Sequence, residues 1–429
     1  MGILNWGFRT NVKLHQAQGK DSLTLPLKNS PGETVQFSDF IKNEVKIIDT
    51  SKKLWLNPLL FNGVLQTLYY TSVDTTKKFL IYYGRELFTY KDKGICSLDW
   101  VIPKPESKEE FKKLHDQTFP EGFPKLHPRT RYMTEEELAA RRAHNQDTDS
   151  TKPIVVILHG LSGGSHEPLI RNLADSINKN TEGWDTVVLN NRGCCRTLIT
   201  SPKLFNALST EDIREVLVDL KERYPSRPIY AVGFSFGACI LANFLGDPNQ
   251  DEKTRSLVKA ACLIGCPWDL VDSSHHLDNS YSGIYLFNPA LTTFLQKMVK
   301  NNYAALRSFD PELFTDELYR KFMAPKTTWQ FDDVFTCSTA GFSDAYTYYR
   351  EASPARRIGS IKTPTLILNS NDDPAVSVRL PWLEVSRNPA LALVETDLGG
   401  HLSYAQSSGE FWSVLVVEEY FKSFSETIA

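Results

Sequence analysis

No apolar run in the chain reaches the roughly 18–20 residues that a membrane-spanning helix needs. No charge of one sign dominates either. Against 48 basic side chains stand 51 acidic ones, a net charge of −3, which argues against nucleic-acid partners because nothing here would neutralise a phosphate backbone. Cysteine is sparse, with seven in 429 residues, and lacks the paired spacing of a zinc site. Cys239, Cys262 and Cys266 lie in apolar company and read as buried small hydrophobes, while the adjacent Cys194 and Cys195 disfavour an ordinary disulfide. The opening MGILNWGFRT is too short and polar for a signal peptide, and Trp6 stands where a myristoylation signal needs Ser or Thr. A reduced, cytoplasmic protein is expected. At 41% hydrophobic and 23% charged the composition excludes wholesale disorder, and the length suits one large α/β unit with additions.

Hydrophobic patterning divides the chain into four stretches. Residues 1–150 form an N-terminal extension with a hairpin, Leu87–Tyr90 against Ile95–Trp100 around Asp92-Lys93-Gly94, and a polar linker over Asn145–Ser150. Residues 151–270 alternate strand and helix. Ile154–Leu158, Thr186–Leu189, Ile229–Val232 and Ala260–Ile264 are short β-rich runs suited to buried parallel strands. Between them fall a helix with Leu169, Leu173, Ala174 and Ile177 on one face, another around Ile213–Leu220, and a third over Phe236–Leu245 that Gly246 ends. In residues 271–355 the alternation breaks into a helical cap, where Asn288 and Pro289 are expected to start a helix striped with Leu291, Phe294, Leu295, Met298 and Val299. Residues 356–429 resume with strands at Thr365–Leu368 and Leu391–Val394, a helix near Leu380–Val385 and a last helix from Trp412. The expected architecture is α/β, a mostly parallel, doubly wound sheet interrupted by a helical cap insertion.

The chemistry concentrates at Gly233-Phe234-Ser235-Phe236-Gly237, a G-x-S-x-G pentapeptide placed where a strand meets a helix. A nucleophile on so tight a turn needs small flanking residues, because the backbone is strained and the helix packs close. Gly160-Leu161-Ser162-Gly163-Gly164 fits the same pattern, but it follows the first core strand, where this fold places the loop donating an oxyanion amide. Ser235 is therefore the expected nucleophile, and the amides of Leu161 and Phe236 are the expected oxyanion hole. The partners should follow in the order acid, then histidine. Asp372 and Asp373 lie in the loop after the strand Thr365–Leu368, and Asp373, held extended by Pro374, is the expected orienting acid, with Asp372 the alternative. Of nine histidines, only His401 lies beyond both Ser235 and that acid; it is the expected base.

Other constellations read as structural. His159, directly after a strand, suits a hydrogen-bonding role. His144 with Asp149 lies in the polar linker, adjacent His275 and His276 point apart, and Asn191–Arg196 lacks the Lys-Ser/Thr pair of a phosphate loop and reads as a wall of the site's mouth.

His159–Pro168, Asn191–Cys194, Gly233–Ala238, Asp372-Asp373-Pro374 and Gly399-Gly400-His401 together resemble the AB-hydrolase-4 family of α/β-hydrolases, most nearly its yeast medium-chain fatty acid ethyl ester synthase/esterases, which implies the α/β-hydrolase fold. The resemblance extends to Asn62–Thr67, where many relatives carry His in place of Val64, and to Pro128–Tyr132. It implies formation of ethyl esters from medium-chain acyl-CoA and ethanol, hydrolysis of short- to medium-chain esters, and activity on monoacylglycerol in some relatives; beside the cytoplasm, a peripheral position on lipid droplets or mitochondrial surfaces is left open by the sequence. No metal, nucleotide or redox cofactor is required. The competing expectations are a lipase or carboxylesterase with no alcohol preference and, in another class, a non-catalytic binding protein on the same scaffold.

Overall fold

The structure is a computed structural model that describes residues 7–75, 77–143, 151–376 and 379–429. The polar run 145–150 and the His144–Asp149 pair lie outside the described residues. Ten strands build the main sheet: β1 Val12–Gln16, β2 Tyr82–Thr89, β3 Ile95–Ile102, β4 Thr130–Tyr132, β5 Ile154–Leu158, β6 Asp185–Asn190, β7 Ile229–Phe234, β8 Ala260–Ile264, β9 Thr365–Ser370 and β10 Leu391–Thr396. Their spatial order is β1-β10-β9-β8-β7-β5-β6-β3-β2-β4. Strands β5 to β10 run parallel, β1 pairs antiparallel with β10, and the β2–β3 hairpin joins antiparallel to β6.

Strand pleating explains why the parallel runs are apolar throughout. Ile154, Val156 and Leu158 pack to one face, with Ile213, Leu217, Ala238 and Leu241 of helices Thr210–Arg223 and Phe236–Leu245. Val155 and Ile157 pack to the other, with Leu169, Leu173, Val416 and Tyr420 of helices Pro168–Asn180 and Trp412–Thr427. A strand covered by helices on both faces has no solvent side to keep polar. All seven cysteines are buried and unpaired, and no described helix is long and apolar enough to cross a membrane.

Between β8 and β9 the chain is mostly helical, led by Leu270–Asn279, Asn288–Phe309, Asp316–Met323 and Ala345–Ala352. Asn288 and Pro289 open the long α-helix as expected, but they do not follow an extended segment. A π-helical turn over Gly283–Phe287 leads without a break into Asn288–Phe309. A proline inside a helix removes one N–H and crowds the carbonyl four residues back, and the wider π turn relieves that crowding. Asn288 also ties neighbouring segments together, donating to Asp278 at 2.6 Å and accepting from the Thr328 amide at 2.8 Å.

A buried ion pair ties the hairpin to the loops above the sheet. Arg85 of β2, 1% exposed, forks onto fully buried Asp99 of β3 at 2.7 and 2.8 Å and donates to the Cys195 carbonyl at 2.9 Å. Ser165 donates to the same carboxylate. Burial works against the charge of Asp99, yet the guanidinium holds it below the ordinary carboxylate range. Removing one member of such a pair strands the other. Asp99→Ala should cost about 3–5 kcal/mol, read as a lowered urea midpoint with an unchanged slope.

Candidate functional site

Ser235 sits between the end of β7 and helix Phe236–Leu245 with φ 53° and ψ −118°, a conformation that costs about 1–3 kcal/mol for a residue bearing a side chain. Its N–H donates to the Ile264 carbonyl of β8 at 2.8 Å, and its carbonyl accepts from the Cys239 amide at 3.1 Å, so both ends of the turn are held. Gly233 and Gly237 are there for proximity. A Cβ on Gly237 would lie 2.5 Å from the Leu158 and His159 carbonyl oxygens, and one on Gly233 would meet the Gly237 carbonyl at 2.5 Å. The helix thereby packs directly against β5 and the loop that follows it.

The structure brings the three expected side chains into one hydrogen-bonded chain. Ser235 Oγ lies 2.7 Å from His401 Nε2, and His401 Nδ1 lies 2.7 Å from Asp373 Oδ2. A carboxylate only accepts, so Nδ1 carries the proton and Nε2 is free to accept from the serine hydroxyl. Asp373 is 2% exposed and His401 6%. The other carboxylate oxygen of Asp373 accepts from the Ala375 and Val376 amides at 2.8 and 3.1 Å. Leu161 and Phe236 line the same cavity as Ser235 and His401, and neither backbone N–H has an acceptor among the described residues. Ser162 is elsewhere engaged, its hydroxyl donating to the Met298 sulfur at 3.6 Å.

Asp372, the alternative acid, bonds the backbone beside His401 in place of the imidazole, which Asp373 holds. One oxygen accepts from the Gly400 amide at 2.8 Å and from the Ser370 hydroxyl, while the other is enclosed without a partner among the described residues. Burial pushes this carboxyl up to about 6. His159 is fully buried and pushed down to about 4 by burial, hence neutral. It accepts from the Asn191 amide at 3.1 Å and donates to the Gly160 carbonyl at 2.7 Å. The Asn191–Arg196 run does not line the cavity, contrary to expectation. Arg192 is drawn away by Asp212 and Asp92, and the Gly193 carbonyl accepts from Asn302 of the long helix.

The histidine loop rests on helix Gly63–Thr71 of the N-terminal extension. Thr67 Oγ1 accepts the His401 amide at 2.8 Å, Gln66 accepts the Ala405 amide at 2.7 Å, and Gly63 lies so close that a Cβ there would fall 1.9 Å from the Asp372 carbonyl. Val64 does not line the cavity. Asn62 caps this helix, accepting the Leu65 amide at 2.9 Å, and asparagine is a residue type favoured at that position. No local signal shows that the helix it starts would lie under His401.

His127, His166 and Cys195 also meet, their ligand atoms within 4.8 Å of one another. The two imidazoles stack face to face, centroids 3.9 Å apart and planes 2° from parallel. Nitrogen lone pairs lie in the ring planes, and two parallel planes so separated share no point for one ion to occupy in this arrangement.

A cavity of about 570 Å³ opens beside Ser235. Most of its wall is apolar, with Leu277, Phe287, Leu291, Leu295 and Phe335 from the helical stretch.

The raised Asp372 pKa has a definite sign. An acid that binds its proton more tightly when folded destabilises the fold as pH climbs from its ordinary value near 4 to its folded value. Asp372→Asn should therefore melt above the parent at pH 7.5, by up to about 3 kcal/mol in stability, and the two melting curves should converge near pH 4.

Residues 153–407 match the family described as the alpha/beta hydrolase fold. Across 99% of its length the chain is 38% identical to the Medium-chain fatty acid ethyl ester synthase/esterase 2 of Saccharomyces cerevisiae, covering 97% of that protein. It is 32% identical to the Monoacylglycerol lipase of the same yeast over 86% of this chain and 80% of that one. Among solved structures, the Pyrococcus furiosus esterase Pf2001 is similar at a TM-score of 0.45 and 16% identity, over 83% of this chain and 97% of the esterase. With a family match over more than half its residues and a relative aligned nearly end to end, the chain belongs to the α/β-hydrolase fold family, among its ester hydrolases.

Proposed function

We propose that the protein transfers medium-chain acyl groups through a covalent intermediate on Ser235, making ethyl esters from acyl-CoA and ethanol and hydrolysing medium-chain esters. The observation that carries this reading is the unbroken chain from Ser235 through His401 to Asp373 at 2.7 Å per link. The hydroxyl attacks the acyl carbonyl as His401 Nε2 takes its proton, and Asp373 steadies the imidazolium that forms. The Leu161 and Phe236 amides hold the tetrahedral oxyanion, aided by the positive end of helix Phe236–Leu245. The imidazolium then protonates the departing thiol or alcohol. In the second half, His401 draws a proton from ethanol or water as that oxygen attacks the acyl-enzyme, and Ser235 is restored.

The helical stretch 271–355 serves as the cap. Its apolar wall suits a fatty acyl chain, and shielding from water is what allows an alcohol to compete with a solvent in vast excess. The names of the two yeast relatives support fatty acid esters and monoacylglycerol as substrate classes. Tyr281, Ile284, Tyr285 and Phe294 stand exposed on the cap, which supports peripheral contact with a lipid surface.

Ser235→Ala should lower turnover of ethyl octanoate by at least about a thousandfold, the general consequence of losing such a nucleophile, and should block labelling by a fluorophosphonate. A folded variant that retained activity would defeat the reading. With octanoyl-CoA, adding ethanol should yield ethyl octanoate. Free acid alone, at every ethanol concentration, would assign the protein to the plain esterases.

A further inference from the structure

The cavity holds two carboxyl groups that acyl transfer does not use: Glu167, beside the oxyanion loop, and Asp332, in a π turn over Asp332–Thr336. No lysine or arginine lines it among the described residues. Asp332 sits between Phe331 and Phe335 of the cavity wall, with one oxygen accepting from Tyr349 OH at 2.6 Å and the other from the Thr336 hydroxyl. Both donors are neutral. Neither Asp332 nor Glu167 has an ion-pair partner among the described residues, although other deep carboxylates here, such as Asp99 and Asp212, face arginine. Burial pushes Asp332 up to about 6, so it still carries its charge at pH 7.5.

Any ion entering an apolar cavity gives up hydration, and that cost falls on both signs alike. A carboxylate whose only partners are neutral adds a term that depends on sign, since in a low-dielectric space its potential is only weakly screened. We propose that the cavity selects its occupants by charge: it takes uncharged acyl chains, accepts a cationic chain end more readily than an anionic one, and uses Asp332 as the residue that sets this preference. The proposal rests on the acyl-transfer reading and specifies its substrate class as neutral esters and thioesters with no anionic group on the acyl chain.

Ethyl octanoate and its ω-amino and ω-carboxylate analogues test it in the full-length protein at pH 7.5. The expected order of kcat/KM is neutral, then cationic, then anionic, with the cationic ester ahead of the anionic by at least tenfold. Asp332→Asn should shrink that ratio to within about threefold, and Asp332→Glu should retain it. Taking the ratio within each variant cancels any common loss of activity. Equal turnover of the two charged esters, or an unchanged ratio in Asp332→Asn, would overturn the proposal. A second measurement needs no variant. Octylammonium should inhibit ethyl octanoate hydrolysis with a Ki at least tenfold below that of octanoate, and an equal or reversed order would also overturn it. Ethyl octanoate keeps the two readings separable: no turnover defeats the acyl-transfer reading, whereas turnover without charge preference defeats only this one.

Discussion

The passage of one helix against one strand, with no side chain between them, fixes the position of everything else in this site. Gly237 meets the Leu158 and His159 carbonyls closer than any Cβ allows, so helix Phe236–Leu245 begins directly beside the end of β5. That contact forces the sharp turn at Ser235, and the Ile264 carbonyl holds it. The serine hydroxyl is thereby raised above the carboxyl edge of the sheet, where the loops after β5, β9 and β10 deliver Leu161, Asp373 and His401. In a parallel sheet those loops all emerge at the same edge. The strain at one residue is the local price of a geometry that the surrounding packing over-determines.

Neutral groups do much of the positioning. His159 lies at the loop after β5 with both nitrogens committed, one to the Asn191 amide and one to the Gly160 carbonyl. Burial keeps it uncharged, and a second ring proton would leave the Asn191 amide without its acceptor. In the helical stretch, rings of Tyr303, Phe314, Phe322, Phe331 and Phe335 pack edge to face and tilted. That cluster backs the cavity wall and fixes the π turn that carries Asp332.

What could be read from the sequence followed from how local its cause was. Ile154–Leu158 and Ala260–Ile264 are legible because buried parallel strands are apolar at every position, and helix Phe236–Leu245 because Gly246 closes it. The meeting of Ser235, Asp373 and His401 was legible from chain order and from loops placed after strands. Thr134 and Glu137 form a capping box for helix Glu135–Arg142, and their T-x-x-E spacing is a local mark of a helix start. Edge strand β1 and the support of His401 by Thr67 left no local trace, because their partners lie hundreds of residues away. The π turn before Pro289 was hidden for another reason. Proline reads as a helix start unless the preceding turn widens, and nothing in the residues announces that it does.

The hold of helix Gly63–Thr71 on the histidine loop redraws the boundary of the working unit. The stretch shared across the family, residues 153–407, contains every side chain of the hydrogen-bonded relay but not the threonine, glutamine and glycine on which the imidazole's loop is moored. A cassette cut at those limits and grafted elsewhere would carry Ser235, Asp373 and His401 together, with an imidazole free to drift from its serine. For any recombination, the extension and the core form one piece.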